Sequence, residues 1–171
     1  MRLYFPILLI LGQAAMAADF RTLDFGQPCS TIEKKEESLG SNPIQSRSDS
    51  SSHWYKARAF DADVSIVYLC VDDVLRTGSY LFERKEFDVA LEQMRIAYEE
   101  LTDAHGAPFL DTTPWQYGPG PKDIRSVAAK PSLYVASWRT SRITVTARLL
   151  ADGDAVAADW RVGIVVIPTE Q

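Results

Sequence analysis

Residues that commonly carry chemistry are scarce in this chain. Its 171 residues include two histidines and two cysteines. No Gly-x-Ser-x-Gly turn of a serine hydrolase and no glycine-rich phosphate loop occurs. His53 and His105 are far apart in the sequence, and two such histidines beside a pair of bridged cysteines do not make a zinc site. We therefore expect no metal and no cofactor.

Positive charge is also scarce. Lysine and arginine number 18 against 23 acidic residues, which gives a formal net charge of −5. An acidic protein gains no affinity from the counterions of a phosphate backbone, so nucleic acid is not an expected partner. Hydrophobic residues make up 46% of the chain, and no long low-complexity tract interrupts it. This composition predicts a globular protein rather than a disordered one.

A hydrophobic run long enough to span a bilayer, which takes about 20 residues, is missing. The chain begins with Arg2, a shorter apolar run from Leu3 to Leu11, and the small-x-small sequence Ala15-Met16-Ala17. This pattern is typical of a secretory signal peptide, here residues 1–17, with a retained anchor as the alternative. No cysteine follows the cleavage position, so no lipid anchor is expected.

The mature chain, residues 18–171, has the size of one domain with a sufficient core. Loss of Arg2 with the signal peptide takes its formal net charge from −5 to −6. We expect it to be periplasmic or secreted, with no stable membrane span after signal cleavage.

Cys29 and Cys70 are the two cysteines of the chain. In an oxidising compartment an isolated pair is more often bridged than left as two buried thiols, so we expect a disulfide. The bridge closes a loop of about 42 residues, which corresponds to roughly 4 kcal/mol in the chain-entropy treatment.

Hydrophobic spacing predicts an α+β fold. Apolar residues recur every three or four positions from Phe87 to Ala104, the pattern of a long amphipathic helix packed on a sheet. A short N-terminal helix is expected over Ser30–Leu39, with a capping box between Ser30 and Glu33 and a stop at Gly40. The remaining apolar segments predict an antiparallel sheet of five or six strands, with a hairpin turn at Asp72-Asp73.

The segment LTDAHGAPF ends the long helix. His105 continues the apolar stripe, whereas Asp103, two residues earlier, points elsewhere. Gly106 and Pro108 then stop the helix, so we interpret His105 as a helix-end residue. The alternative is a hydrolase that uses either His105 or His53, the latter following a run of serines.

The last three strands form a predicted meander over residues 132–167. Tight turns at Thr140-Ser141 and at residues 151–154 pair Arg139 with Arg142 and Leu150 with Ala155. One face then carries Trp138, Ile143, Val145, Ala147, Leu149, Trp160, Val162 and Ile164. The opposite face carries Arg139, Arg142, Thr144, Thr146, Arg148 and Arg161.

Two surfaces are candidates for binding. The arginines Arg139, Arg142, Arg148 and Arg161 form a cationic face that suits a carboxylate, a phosphate or an acidic protein; an ordinary solvated face is the alternative. Trp115 and Tyr117 lie in a loop, where exposed aromatic side chains often mark contacts, although Trp115 could instead cap the core. We therefore expect a non-enzymatic binding protein whose partner is another envelope or extracellular protein. An envelope-assembly module and an inhibitor module differ from it only in the partner.

Two resemblances accompany these residues. Phe20-Arg21, Phe25-Gly26, a short helix and a later helix that ends in HGAP resemble a family of uncharacterised secreted bacterial α+β domains, in which an aromatic residue usually stands where His105 is. The segment HGAPFLDTTPWQY followed by strands is similar to the small lipoprotein of the outer-membrane barrel-assembly machinery. That lipoprotein has a lipidated cysteine at its mature start, whereas this chain has Ala18.

Overall fold

One antiparallel sheet organises the protein in the computed structural model, which describes residues 19–113, 134–152 and 159–169. The strands are β1 (Asn42–Pro43), β2 (Ser52–Ala59), β3 (Ala62–Val71), β4 (Val74–Phe82), β5 (Leu110–Asp111), β6 (Tyr134–Arg139), β7 (Ile143–Asp152) and β8 (Asp159–Pro168). The α-helices of the described residues are α1 (Ile32–Ser38) and α2 (Phe87–His105). The strand order is β1-β2-β3-β4-β8-β7-β6-β5. The predicted signal peptide and the loop with Trp115 and Tyr117 lie outside the described residues.

The α+β class and the single antiparallel sheet are confirmed, but the predicted number of strands is wrong. The sheet has eight strands, not five or six. The two additional strands are β1 and β5, which have two residues each and pair at opposite edges. Two residues are too few to show hydrophobic alternation, so only their partners across the sheet identify them as strands.

Two three-stranded meanders lie side by side in the sheet. Two consecutive hairpins connect β2, β3 and β4. β8 joins this meander to the second one by pairing with β4 at Tyr80↔Ile164. The β3–β4 turn has Asp72 at φ 53° and Asp73 at φ 57°, the left-handed conformation of a two-residue hairpin turn, in which aspartate is tolerated. The predicted turn at these aspartates is therefore confirmed.

Apart from Arg142, the predicted faces of the second meander are confirmed, although the predicted pairs are wrong. Arg139 pairs with Thr144 instead of Arg142, and Leu150 pairs with Arg161 instead of Ala155. These shifts are two and six residues, both even, so every side chain within the paired strands keeps its face, whereas Arg142 lies in the turn before β7. The first turn is longer because the Thr140 hydroxyl accepts hydrogen bonds from the backbone N–H groups of residues 142 and 143. All eight predicted core residues of the meander are buried.

Helix α2 covers the second meander. It packs against β6, β7 and β8, and its predicted apolar stripe supplies four buried residues: Ala90, Met94, Ala97 and Leu101. Phe87 and Tyr98 pack edge-on against Trp160 and Trp138 at centroid distances of 5.1 and 5.5 Å. The helix ends at Gly106, whose φ of 82° confirms the predicted stop.

The N-terminal segment, residues 19–41, covers the same side of the first meander. The predicted disulfide between Cys29 and Cys70 is confirmed, and it joins this segment to β3. The ring of Phe20 lies on Gly78 of β4, where a Cβ would come within 2.2 Å of it. This segment and α2 therefore share the covering of one sheet face.

The predicted capping box of α1 is wrong. Residues 29–31 form a 3-10 turn, so the helix begins later and Thr31 is its N-cap. The Thr31 hydroxyl donates to the carbonyl of Pro28 at 2.7 Å rather than capping the helix. The predicted stop at Gly40 is confirmed by its φ of 74°.

Candidate functional site

The sheet face opposite α2, here called the distal face, carries a row of side chains across seven strands, of which Val67, Ser79 and Ser137 are buried. Neighbouring partners across seven strands are Trp54, Val67, Ser79, Val165, Thr146, Ser137 and Leu110. Because side chains alternate along a strand, every second residue counted from these positions also lies on this face, up to the register shift at the β3–β4 turn.

Exposed apolar side chains are concentrated on the distal face. Among the described residues seven large hydrophobic side chains are exposed, and Leu69, Val71, Leu110 and Ile167 are on this face. Phe109, 58% exposed, precedes β5, and its ring lies under the distal-face residue Arg139. Scattered exposed apolar residues are ordinary, but a concentration on one face is typical of an interaction surface.

Two of the predicted arginines lie exposed on this face. Arg148 stands opposite Val135 and Gly163 in the neighbouring strands. The Arg139 guanidinium lies 4.8 Å from the centre of the Phe109 ring, in the geometry of a cation–π contact. A third, Arg161, is half-buried on the same face opposite Leu150.

The predicted position of Arg142 on this face is wrong. Its Nε is 2.9 Å from Asp19 and its Nη2 is 2.7 Å from Asp24, both in the N-terminal segment on the other side of the sheet end. The hydrogen bond to Asp24 raises the pKa of the guanidinium. Arg142 therefore fastens the N-terminal segment to the β6–β7 turn, because that turn places it at the end of the sheet.

The distal face is cationic on an acidic protein. Its described strand positions carry the cations Lys56, Arg58, Arg139, Arg148 and Arg161 against the acids Asp63, Asp152 and Asp159. The whole chain has a formal net charge of −5. The acidic residues are therefore concentrated elsewhere, and the distal face can attract a negatively charged partner.

The two histidines lie in different surroundings. The hydroxyls of Ser51 and Ser52, which precede His53, both donate to Asp49, at 2.8 and 3.1 Å. His105 is the last residue of α2 and is half-buried, and burial lowers the pKa of its imidazole. The geometry therefore directs both serine hydroxyls to the aspartate of their own turn.

A buried charged cluster was missed by sequence reasoning. Glu36 of α1 is wholly buried; it accepts a hydrogen bond from Arg21 Nε at 2.8 Å and another from the Tyr68 hydroxyl. Burial and the Glu36 carboxylate raise the pKa of Tyr68. One signal was present: Glu36 is four residues after Ile32 and so shares the helix face that this buried residue occupies.

Other observations bear on site chemistry. In the three described ranges, no group of three or more His, Cys, Asp or Glu residues is arranged to hold a metal ion. No helix in that part of the chain combines the length and the apolar character needed to cross a membrane.

Comparison of the chain with known protein families, with curated proteins and with solved structures finds no match.

Proposed function

We propose that this is a non-enzymatic binding protein that captures an acidic partner protein on its distal face. The observation that carries the proposal is the shared location of exposed apolar side chains, Leu69, Val71 and Ile167, with the exposed arginines Arg139 and Arg148. Partner surfaces commonly combine an apolar centre with arginine, which is enriched at interfaces.

The two kinds of side chain have different roles in this proposal. The apolar residues lose contact with water when the partner covers them, and full burial of a Leu or Ile side chain contributes about 1.5–3 kcal/mol. The arginines donate charge-assisted, bidentate hydrogen bonds to partner carboxylates, which gives the complex its orientation. The positive face also accelerates association with an acidic partner.

The disulfide supports an extracytoplasmic compartment. A bridge such as Cys29–Cys70 persists in an oxidising environment such as the periplasm or the extracellular space. The signal peptide predicted over residues 1–17 supports the same location. The proposed partner is therefore another envelope or extracellular protein.

The experiment uses the full disulfide-bonded chain, immobilised and exposed to an envelope extract. Arg139→Asp with Arg148→Asp should abolish capture of a partner that the unaltered chain retains. With the identified partner purified, the dissociation constant should rise at least tenfold, and wild-type binding should weaken with added salt because the contact is electrostatic.

The matched control is Lys34→Asp with Lys35→Asp, the same change of charge at two exposed positions of α1. This variant should bind the partner as the wild type does, and both variants should keep the wild-type melting temperature. Equal loss of capture by the two variants would show that net charge, not the distal face, governs binding.

The identity of the partner separates the two forms of this proposal. A component of an envelope-assembly complex indicates an assembly role, and a toxin or secreted enzyme indicates inhibition.

The hydrolase alternative stays a prediction with its own test: a screen of ester, amide and glycoside substrates, in which His53→Ala or His105→Ala must abolish any activity found.

A further inference from the structure

A groove open to solvent lies at one corner of the distal face. Its volume is about 340 Å³, and the residues that line it include Asn42 of β1, Lys56 and Arg58 of β2, Asp63 and Ser65 of β3, and Glu83 after β4. The short length of β1 leaves this space. β1 pairs with β2 at Lys56 and Tyr55 and stops before Arg58.

The polar side chains of the groove are accessible. Lys56 and Arg58 are two residues apart on β2, and the register places them opposite Ser65 and Asp63, so the four side chains share the distal face. Ser65 is half-buried, whereas both cations, Asp63 and Glu83 are exposed. A ligand can therefore reach each charged group without displacing a side chain of the core.

Positive and negative charges lie on different sides of the groove. The two cations are on β2, Asp63 is on the adjacent strand, and Glu83 follows the strand after that. Because neighbouring strands lie about 4.8 Å apart, the two acids are about 5 and 10 Å across the sheet from the cations. The corner therefore has a positive side and a negative side.

These charges are not paired with one another. Arg58 stands opposite Asp63, but its Nη2 donates to the carbonyl of Asp61 at 3.4 Å. Among the described residues, neither Lys56 nor Asp63 forms an ion pair or a side-chain hydrogen bond. Glu83 contacts Lys85 at 3.5 Å, and both side chains are exposed, so this contact competes little with a ligand.

The electrostatics favour a ligand that carries both charges. An anion gains from Lys56 and Arg58 but is repelled by the acids, and a cation has the reverse balance. Only a molecule with a carboxylate at one end and a hydrogen-bonding cation at the other gains charge-assisted hydrogen bonds on both sides.

We propose that this groove binds a small zwitterion with a primary ammonium group and a carboxylate, the shared chemistry of free amino acids and short peptides. Lys56 and Arg58 hold the carboxylate, and Asp63 and Glu83 hold the ammonium group. Lys56 and Arg148 lie in one row of the distal face, four strands apart, a distance of about 19 Å. Zwitterion binding is therefore separate from partner capture by Arg139 and Arg148, and either proposal can fail without the other.

Titration of the full disulfide-bonded chain with diglycine and with glycine, followed by amide NMR, tests the proposal. The zwitterions should shift the signals of Arg58, Asp63 and Ser65 and leave those of Arg139 and Arg148 unchanged. Acetate and methylamine, which carry one charge each, should bind about fivefold more weakly than the better zwitterion, the upper range for an exposed ion pair. Tighter binding of diglycine assigns the groove to peptides, and tighter binding of glycine assigns it to free amino acids; both results support the proposal.

Variants at exposed positions separate the two charges. Arg58→Gln should weaken binding of the zwitterion and of acetate about fivefold but not that of methylamine, and Asp63→Asn should weaken the zwitterion and methylamine but not acetate. The exchange Arg58→Asp with Asp63→Arg keeps both charges and should bind the zwitterion within about twofold of wild type, because the ligand can reverse its orientation.

Arg148→Gln is the matched control, since it removes an equally exposed cation of the same face at a distance where salt screens its charge. It should leave zwitterion binding unchanged. The proposal is overturned if neither zwitterion shifts the groove signals, or if acetate or methylamine binds as tightly as the zwitterions. Equal losses in Arg58→Gln and Arg148→Gln would also overturn it, because they would show a general effect of charge.

Discussion

The Arg21 guanidinium donates its Nε–H to the Glu36 carboxylate across 2.8 Å, at a point where Glu36 is wholly shielded from solvent. The pair joins the first turn of the N-terminal segment to α1. Arg21 has a φ of 55°, a conformation uncommon for any residue other than glycine, and the surrounding contacts hold it there. Arg21 therefore makes this ion pair from a left-handed backbone position.

Arg21→Ala should destabilise the protein severely. The substitution leaves the Glu36 carboxylate buried with no cation, and breaking a buried pair in this way costs about 3–5 kcal/mol. Urea denaturation followed by circular dichroism measures the change in the free energy of unfolding.

Two comparisons test the cause of that loss. The double substitution Arg21→Leu with Glu36→Leu removes both charges and should recover most of the stability. Arg95→Ala removes an arginine that pairs with Glu92 and Glu99 on the exposed face of α2, and it should change stability little. Similar losses for Arg21→Ala and Arg95→Ala would contradict the importance of burial.

Replacement of both cysteines by serine should lower the free energy of unfolding by about 4 kcal/mol, as expected for a loop of this length. Amide exchange should accelerate most in α1, because the Cys29–Cys70 bridge joins the N-terminal segment to β3, while α2 keeps its protection. Without reductant, mass spectrometry should find neither cysteine alkylated. Ready alkylation of both would show that the bridge does not form.

Gly78→Ala should destabilise the protein by about 1–3 kcal/mol through overpacking. The added methyl would lie 2.2 Å from the Phe20 ring, which must move away from the sheet. Gly163→Ala in β8 is the matched control, because its methyl would meet Leu150 at 3.5 Å, an ordinary contact. Phe20→Leu should recover part of the stability of Gly78→Ala, and a Gly163→Ala variant that is equally unstable would refute the role of Phe20.

Stability should fall as the pH rises above about 10, and Tyr68→Phe should reduce that fall. Burial and Glu36 hold the pKa of Tyr68 above its ordinary value in the folded protein. In the unfolded chain this tyrosine ionises near pH 10, so above that pH the native state binds more protons and loses relative stability. Because Tyr68→Phe removes the ionisable hydroxyl, the free energy of unfolding of the variant should fall less steeply with pH than that of the wild type, by about 1.4 kcal/mol per pH unit. Unfolding curves at several alkaline pH values measure it, and identical slopes would contradict it.

The elements that could be predicted are those whose signal is local. The apolar spacing of α2 placed its buried stripe and its end at Gly106, and strand alternation placed Trp138 and Val145 in the core. The β6–β7 register was wrong because the Thr140 turn is held open by side-chain hydrogen bonds, which periodicity does not report. The assignment of strand residues to the two faces stayed correct because both register shifts were even.

The sequence by itself determined the fold class, the helix positions, the disulfide and the two faces of the second meander, because these depend on neighbouring residues or on the two cysteines present. Only the tertiary structure decided that Glu36 is buried, that Arg142 binds Asp19 and Asp24, and that Lys56 and Glu83 line one groove. Each of these depends on contacts between segments distant in the chain. The local pattern of charges around α1 is that of a solvated helix, and only the packing of Arg21 and Tyr68 against it shows otherwise.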